Sequence, residues 1–157
     1  LSIYDPHKLP KESIFKTLKA SHTSDLDTVS AIGDGKEPRW SSGKKVPRWT
    51  SRPQLGKEQW VEGHFAKPRK LRDVGVYWMQ DQFDVKFPAE WSMEIEQNGE
   101  WKPFELYVTD RFDTRANQYN VVHPAAPVRC DAIRVLMTPK PESCVGILEI
   151  MPEFEAD

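Results

Sequence analysis

The stretch WSMEIEQNGEWKPFELYV, beginning at Trp91, limits what this chain can fold into more than any other. Trp91, Met93 and Ile95 alternate with Ser92, Glu94 and Glu96, the two-residue period of a strand with one buried and one wet face. Asn98-Gly99 follows and supplies the positive φ angles of a tight hairpin turn. The same period recurs from Trp60 onward in QWVEGHF, LRDVGVYW, FELYV, YNVV, AIRVLM and VGILEIM, which with WSMEIEQ makes seven strand candidates. Thirteen prolines, eight glycines and seventeen aromatic residues (six Trp, seven Phe, four Tyr) favour many short strands over long helices. With no βαβ alternation, the pattern predicts an all-β fold, an antiparallel β-sandwich of the jelly-roll kind.

At 157 residues the chain is one domain. Residues 1–20 read as a lead-in arm before a sandwich over 21–157. Within that arm Ile14, Phe15 and Leu18 have helical spacing, enough for a turn or two of helix or for a segment pinned to the core. The chain opens on Leu1, LSIYDPHKLPKES contains no apolar signal core, and the sequence reads as a mature or excised fragment. No apolar run is long enough for a spanning helix. Cys130 and Cys144 either bridge, if residues 131–150 fold back on themselves, or serve as two small buried hydrophobes.

A net charge of −2 gives no overall pull toward nucleic acid or an anionic membrane. Locally, Lys36, Arg39, Lys44, Lys45, Arg48, Arg52 and Lys57 are opposed only by Glu37 until Glu58. Single-stranded nucleic acid would need a basic domain as well as this cluster. The four histidines lack the spacing of a triad or metal cage, His64 and His123 reading as strand-edge residues, and no nucleophile elbow or phosphate loop is present. An enzyme would therefore have to rest on paired carboxylates in a deep pocket.

Four segments are too long and polar for simple turns: residues 33–57, 79–90, 109–118 and 138–144. In an antiparallel sandwich alternate connections emerge at the same end, so two or more of these segments can share one surface, where the sheets hold binding residues still. They carry the planar rings and polar groups that sugar recognition needs, with Trp40, Trp49, Phe83, Phe112 and Tyr119 among Arg48, Arg52, Asp81, Asp84, Arg111, Asp113, Arg115, Asn117 and Asn120. The alternative for each ring is to cap the core. On chemistry, the ligand-binding set is Arg48, Trp49, Arg52, Asp81, Phe83 and Arg111. GDGKEPRWSS separately offers hard oxygen donors for calcium at Asp34, Ser41 and Ser42, against the plainer reading of an Asp-Gly turn.

The ordered series DTVSAIGDGKEPRWSS, PRWT, EQWVEGHFAKPRKLRDVGVYW, PAEWSMEIEQNGEWKPF, YNVVHPAAPVRCDAIRVLM and VGILEIMPE resembles the coagulation factor 5/8 type C, or discoidin-like, domain over residues 20–153. That family has a galactose-binding-like sandwich. More narrowly, VPRWT, VYWMQD and PAEWSMEIEQNGEWKPF resemble the accessory domain of bacterial β-L-arabinofuranosidase-type glycoside hydrolases. The resemblance implies a non-catalytic carbohydrate-binding module of a secreted, periplasmic or cell-surface protein, with a polysaccharide and a catalytic module in the same chain as partners. It also implies a structural Ca2+ held by Asp34, the carbonyls of Ala31 and Lys36, Ser41 or Ser42, and Glu149. The family's trio of His, Arg and Asn around an aromatic platform has no clear match here, and charges around Phe83 and Phe87 speak against lipid binding. A purely architectural module packing against a catalytic domain is the rival reading.

Overall fold

The computed structural model describes residues 13–42 and 47–156. Eight antiparallel strands form it: β1 (Phe15–Ala20), β2 (Trp49–Thr50), β3 (Gln59–Trp78), β4 (Glu90–Gln97), β5 (Glu100–Pro103), β6 (Tyr119–Val122), β7 (Val128–Thr138) and β8 (Gly146–Phe154). A 3-10 turn, Val29–Gly33, precedes β2.

β3 explains how one ladder becomes two layers. Its first half pairs with β1 through Phe15↔Phe65 to Ala20↔Val61, and with β7 through Gln59↔Met137 to His64↔Ala132. The register then shifts between His64 and Arg69, where Pro68 has no N–H to give. Its second half pairs with β6 and β8. The result is one layer ordered β1-β3-β7-β4-β5 and another ordered β6-β3-β8-β2, with β3 common to both. The two segments QWVEGHF and LRDVGVYW are thus a single bent strand of 20 residues.

The interior between the layers is aromatic. Trp78 of the second layer meets Trp91 of the first edge to face at 5.2 Å, and Phe112 closes on Trp91 at 4.8 Å. Phe15 lies so close over β3 that a Cβ on Gly63 would sit 2.3 Å from its ring, so only glycine fits there. The hairpin follows its sequence, with Asn98 at φ 52° and Gly99 at φ 80° joining β4 to β5. On the wet face of the first layer Arg134 lies between Glu62 and Glu94 and stacks 3.8 Å over Trp101.

Two open alternatives resolve and one strand candidate is lost. Residues 15–20 take the pinned-to-the-core reading, as a strand, because a short isolated helix is marginal while the edge of β3 offers a ladder. FELYV is no strand, since Pro103 ends β5, Phe104 turns inward and Val108 is left exposed. Residues 131–150 do not fold back as a hairpin, because β7 and β8 belong to different layers. Cys130 and Cys144 are accordingly free, buried thiols, and burial pushes Cys130 up to about 12.

Candidate functional site

Three of the long loops do converge, and Ser41 ties them. Its N–H donates to Asn117 Oδ1 at 2.8 Å, its hydroxyl accepts from the Asn117 N–H at 2.8 Å, and its carbonyl accepts from the Gln80 N–H at 2.9 Å. Asn117 stands at φ 60°, a left-handed conformation that asparagine tolerates. Trp40, next to this knot, is left 65% exposed.

The facing loop is built by Asp81. Its Oδ1 accepts from the N–H groups of Phe83 (2.9 Å) and Val85 (3.1 Å), while its own N–H donates to the Val85 carbonyl at 3.0 Å. Such side-chain closure of a turn is what aspartate does well. It presents Phe83 at the tip, 78% exposed. Arg52 braces the base of the loop: one terminal nitrogen donates to Asp81 Oδ2 and Nε donates to Asp84 Oδ1 at 2.6 Å. A planar guanidinium bridging two carboxylates holds geometry better than a lysine could.

Between the two exposed rings lies an open groove of about 510 Å³ floored by Ser42, Arg48, Arg52, Gln80, Gln82 and Asn117. Arg48 donates through Nε to Asp27 at 3.0 Å, which leaves its two terminal nitrogens without a partner among the described residues. Flat apolar faces on both rims with fixed donors and acceptors between them suit a ligand that has an apolar face and a ring of hydroxyls.

Of the six ligand-binding residues expected, Arg48, Arg52, Asp81 and Phe83 meet in this groove. Arg52 and Asp81 are there as scaffold, already paired to each other. Trp49 is a correction: it is fully buried, and its indole N–H donates to the His22 carbonyl at 3.0 Å. Pairing of β2 with β8 at Trp49↔Ile147 turns the ring into the core, so it has no face to offer a ligand. Arg111 is exposed but does not line the groove. Trp40 replaces Trp49, and the local pattern separates them: Trp49-Thr50 is strand-forming, whereas Trp40 stands between Arg39 and a Ser pair. Gln80 and Gln82 carried no signal. Lys44 and Lys45 lie outside the described residues.

A second constellation sits on the outer face of the second layer. The 3-10 turn ends at Asp34, Gly35 follows at φ 77°, and the Gly35 N–H donates to Glu149 Oε2 at 3.0 Å. Asp34 Oδ1 accepts from the Lys36 N–H at 2.9 Å. Among the described residues, Asp34 Oδ2 and Glu149 Oε1 are buried with no hydrogen-bond partner. Burial first, and then the charge of Asp34, pushes Glu149 up to about 9, and burial raises Asp34 as well. A buried carboxyl beside a half-buried one, each with a buried oxygen, calls for a proton or a cation between them.

This donor set fits a hard cation such as calcium, with two carboxylates supplemented by backbone and water oxygens. Ser41 and Ser42 are not part of it: Ser41 is committed to Asn117 and both line the groove instead. The Ala31 carbonyl accepts from the Asp34 N–H at 3.5 Å. Among the described residues no group of three or more His, Cys, Asp or Glu gathers at metal-binding distance.

No protein-family model matches this chain, and neither does any curated protein. Its fold is similar to solved structures. A structure of the β-galactosidase BgaA from Streptococcus pneumoniae matches with TM-score 0.74 and 18% identity, over 96% of this chain and 97% of that one. The family 32 carbohydrate-binding module of NanJ from Clostridium perfringens, solved with galactose, matches with TM-score 0.69 and 15% identity, over 91% and 98%. Chitosan-binding module 1 of a chitosanase/glucanase from Paenibacillus sp. IK-5 matches with TM-score 0.63 and 16% identity, over 89% and 96%. At these identities the likeness is one of fold, a β-sandwich shared with carbohydrate-binding modules of glycoside hydrolases.

Proposed function

We propose that this domain is a non-catalytic carbohydrate-binding module that takes a glycan in the groove between Trp40 and Phe83. The observation that carries this reading is the convergence of three loops that hold two exposed rings over a polar floor. The rings would stack on the apolar faces of sugar units, while the free nitrogens of Arg48 and the amides of Gln80, Gln82 and Asn117 select hydroxyl geometry. Arg52, Asp81 and Asp84 fix the loop that carries Phe83. Affinity for a short oligosaccharide would be modest, and the module acts by keeping a tethered catalytic partner near its polysaccharide. That partner is a glycoside hydrolase of the β-L-arabinofuranosidase type in the same chain, in a bacterial protein that works outside the cytoplasm.

Calcium belongs to the same reading as a staple, held by Asp34 and Glu149 beneath the turn that leads to Trp40. Its chemistry there is to neutralise two buried carboxylates; it takes no part in a reaction.

A glycan array probed with the isolated domain, with and without a chelator, tests both readings. Binding to a plant, algal or host oligosaccharide that is weakened in Trp40→Ala supports the groove. No binding to any glycan sinks it and favours the architectural rival, which has its own observation: an apolar groove of about 540 Å³ lined by Ile95, Pro103, Phe104, Pro124, Pro127 and Val128.

A further inference from the structure

Among the described residues, four buried side-chain polar atoms have no hydrogen-bond partner: Asp34 Oδ2, Glu149 Oε1, the Tyr119 hydroxyl and the Trp78 indole N–H. Three of the four are oxygens, and those three share one neighbourhood. Tyr77 in β3 is opposite Glu149 on one side and opposite Tyr119 on the other, so the three side chains stand in a row on the same face of the second layer. The Tyr119 ring meets Tyr77 edge to face at 5.2 Å. Gly75 makes room for it, since a Cβ there would lie 3.1 Å from the Tyr119 Cβ. The Tyr119 phenol lies near enough to Glu149, Glu37 and Asp34 for their charges to act on it, and an ordinary phenol is a neutral hydrogen-bond donor. A buried hydroxyl with no partner costs free energy, and this one belongs to the same sheet face as Glu149, whose Oε1 also lacks a partner among the described residues.

We propose that Tyr119 is a positioning residue of the cation site, its hydroxyl donating to a water in the shell of the ion held by Asp34 and Glu149. The inference rests on the cation reading of that pair and adds a third element, β6, to the 3-10 turn and β8. Tyr119 opens β6 two residues after Asn117, the partner of Ser41, so the site and the loop knot beside Trp40 are adjacent in the chain.

The test uses the whole domain stripped with EDTA and titrated with Ca2+, followed by calorimetry and by thermal melting. Tyr119→Phe should weaken Ca2+ binding about tenfold, the usual effect of removing an outer-shell partner. Without calcium the same variant should melt at or above the wild type, because it removes an unpaired buried hydroxyl. Tyr77→Phe should bind Ca2+ as the wild type does. A folded Tyr119→Phe variant with wild-type Ca2+ affinity, beside an Asp34→Asn variant that has lost it, overturns the role of Tyr119 alone. A wild type that takes up no Ca2+ overturns the cation reading and Tyr119 with it. If Tyr119→Phe does not fold, 19F NMR of 3-fluorotyrosine protein keeps the hydroxyl in place: the Tyr119 resonance should shift stoichiometrically with Ca2+, and an unmoved resonance refutes the proposal.

Discussion

Glu149 sets how the stability of the calcium-free domain changes with pH. Its carboxyl is held up at about 9 by burial and by Asp34, against about 4.3 for glutamate in an unfolded chain. Between those values the native state keeps a proton that the unfolded state has released, so stability falls as pH rises. The contribution is fully present below the unfolded value and gone above the folded one. One proton gives at most about 1.4 kcal/mol per pH unit, so from pH 5 to pH 8 the loss reaches about 4 kcal/mol. For a domain of this size that is on the order of 10 °C in Tm. Glu149→Gln keeps the shape and an acceptor for the Gly35 N–H while removing the titrating group. In EDTA it should be flat over this range and more stable than the wild type at pH 8. Saturating Ca2+ should remove the wild type's decline, because the ion neutralises the pair in place of the proton. Thermal melts of both proteins at four pH values, with EDTA or Ca2+, measure this. A wild type with the same Tm at pH 5 and pH 8 in EDTA, or a variant that declines as steeply, would refute the reasoning.

Trp40→Ala and Phe83→Ala should each weaken glycan binding by about 1 kcal/mol, five- to tenfold, and shift Tm by no more than about 2 °C because both rings are exposed; titration calorimetry and melting separate the two effects. Trp49→Ala should instead cost about 3–5 kcal/mol of stability, so a denaturant midpoint that barely moves would contradict its place in the core. Arg52→Met leaves Asp81 and Asp84 without their bridge, and should lower glycan affinity with a stability loss of about 1–2 kcal/mol; unchanged affinity would show that the loop holds Phe83 without the clamp. Cys130 and Cys144 should resist alkylation in the folded protein at pH 8 and react fully in denaturant, since both are buried and burial raises both thiols.

Much of the architecture is legible in local pattern because strand alternation and turn chemistry act over a few residues. Asn98-Gly99 announces its hairpin without help from the rest of the chain. Loop chemistry was partly legible too: Arg48, Arg52, Asp81 and Phe83 could be picked by type, and they do share a groove. The separation of Trp40 from Trp49 was harder, because both follow Pro-Arg and differ in what the next strand does with them. Ser41 and Ser42 have the right oxygens for calcium, yet Asn117 draws Ser41 into the loop knot. That bond spans 76 positions in the chain and leaves no local trace.

The sequence by itself determined that this chain is built of short antiparallel strands with one apolar face each, because that information is carried by a two-residue period and by turn residues with special φ angles. Only the tertiary structure decided that β3 serves both layers, that Trp49 is core while Trp40 is surface, and that Tyr119 and Glu149 share one face of the second layer. Those outcomes depend on which strand edges and loops meet across long stretches of chain, and burial, partner and charge exist for a side chain only once its neighbours are in position.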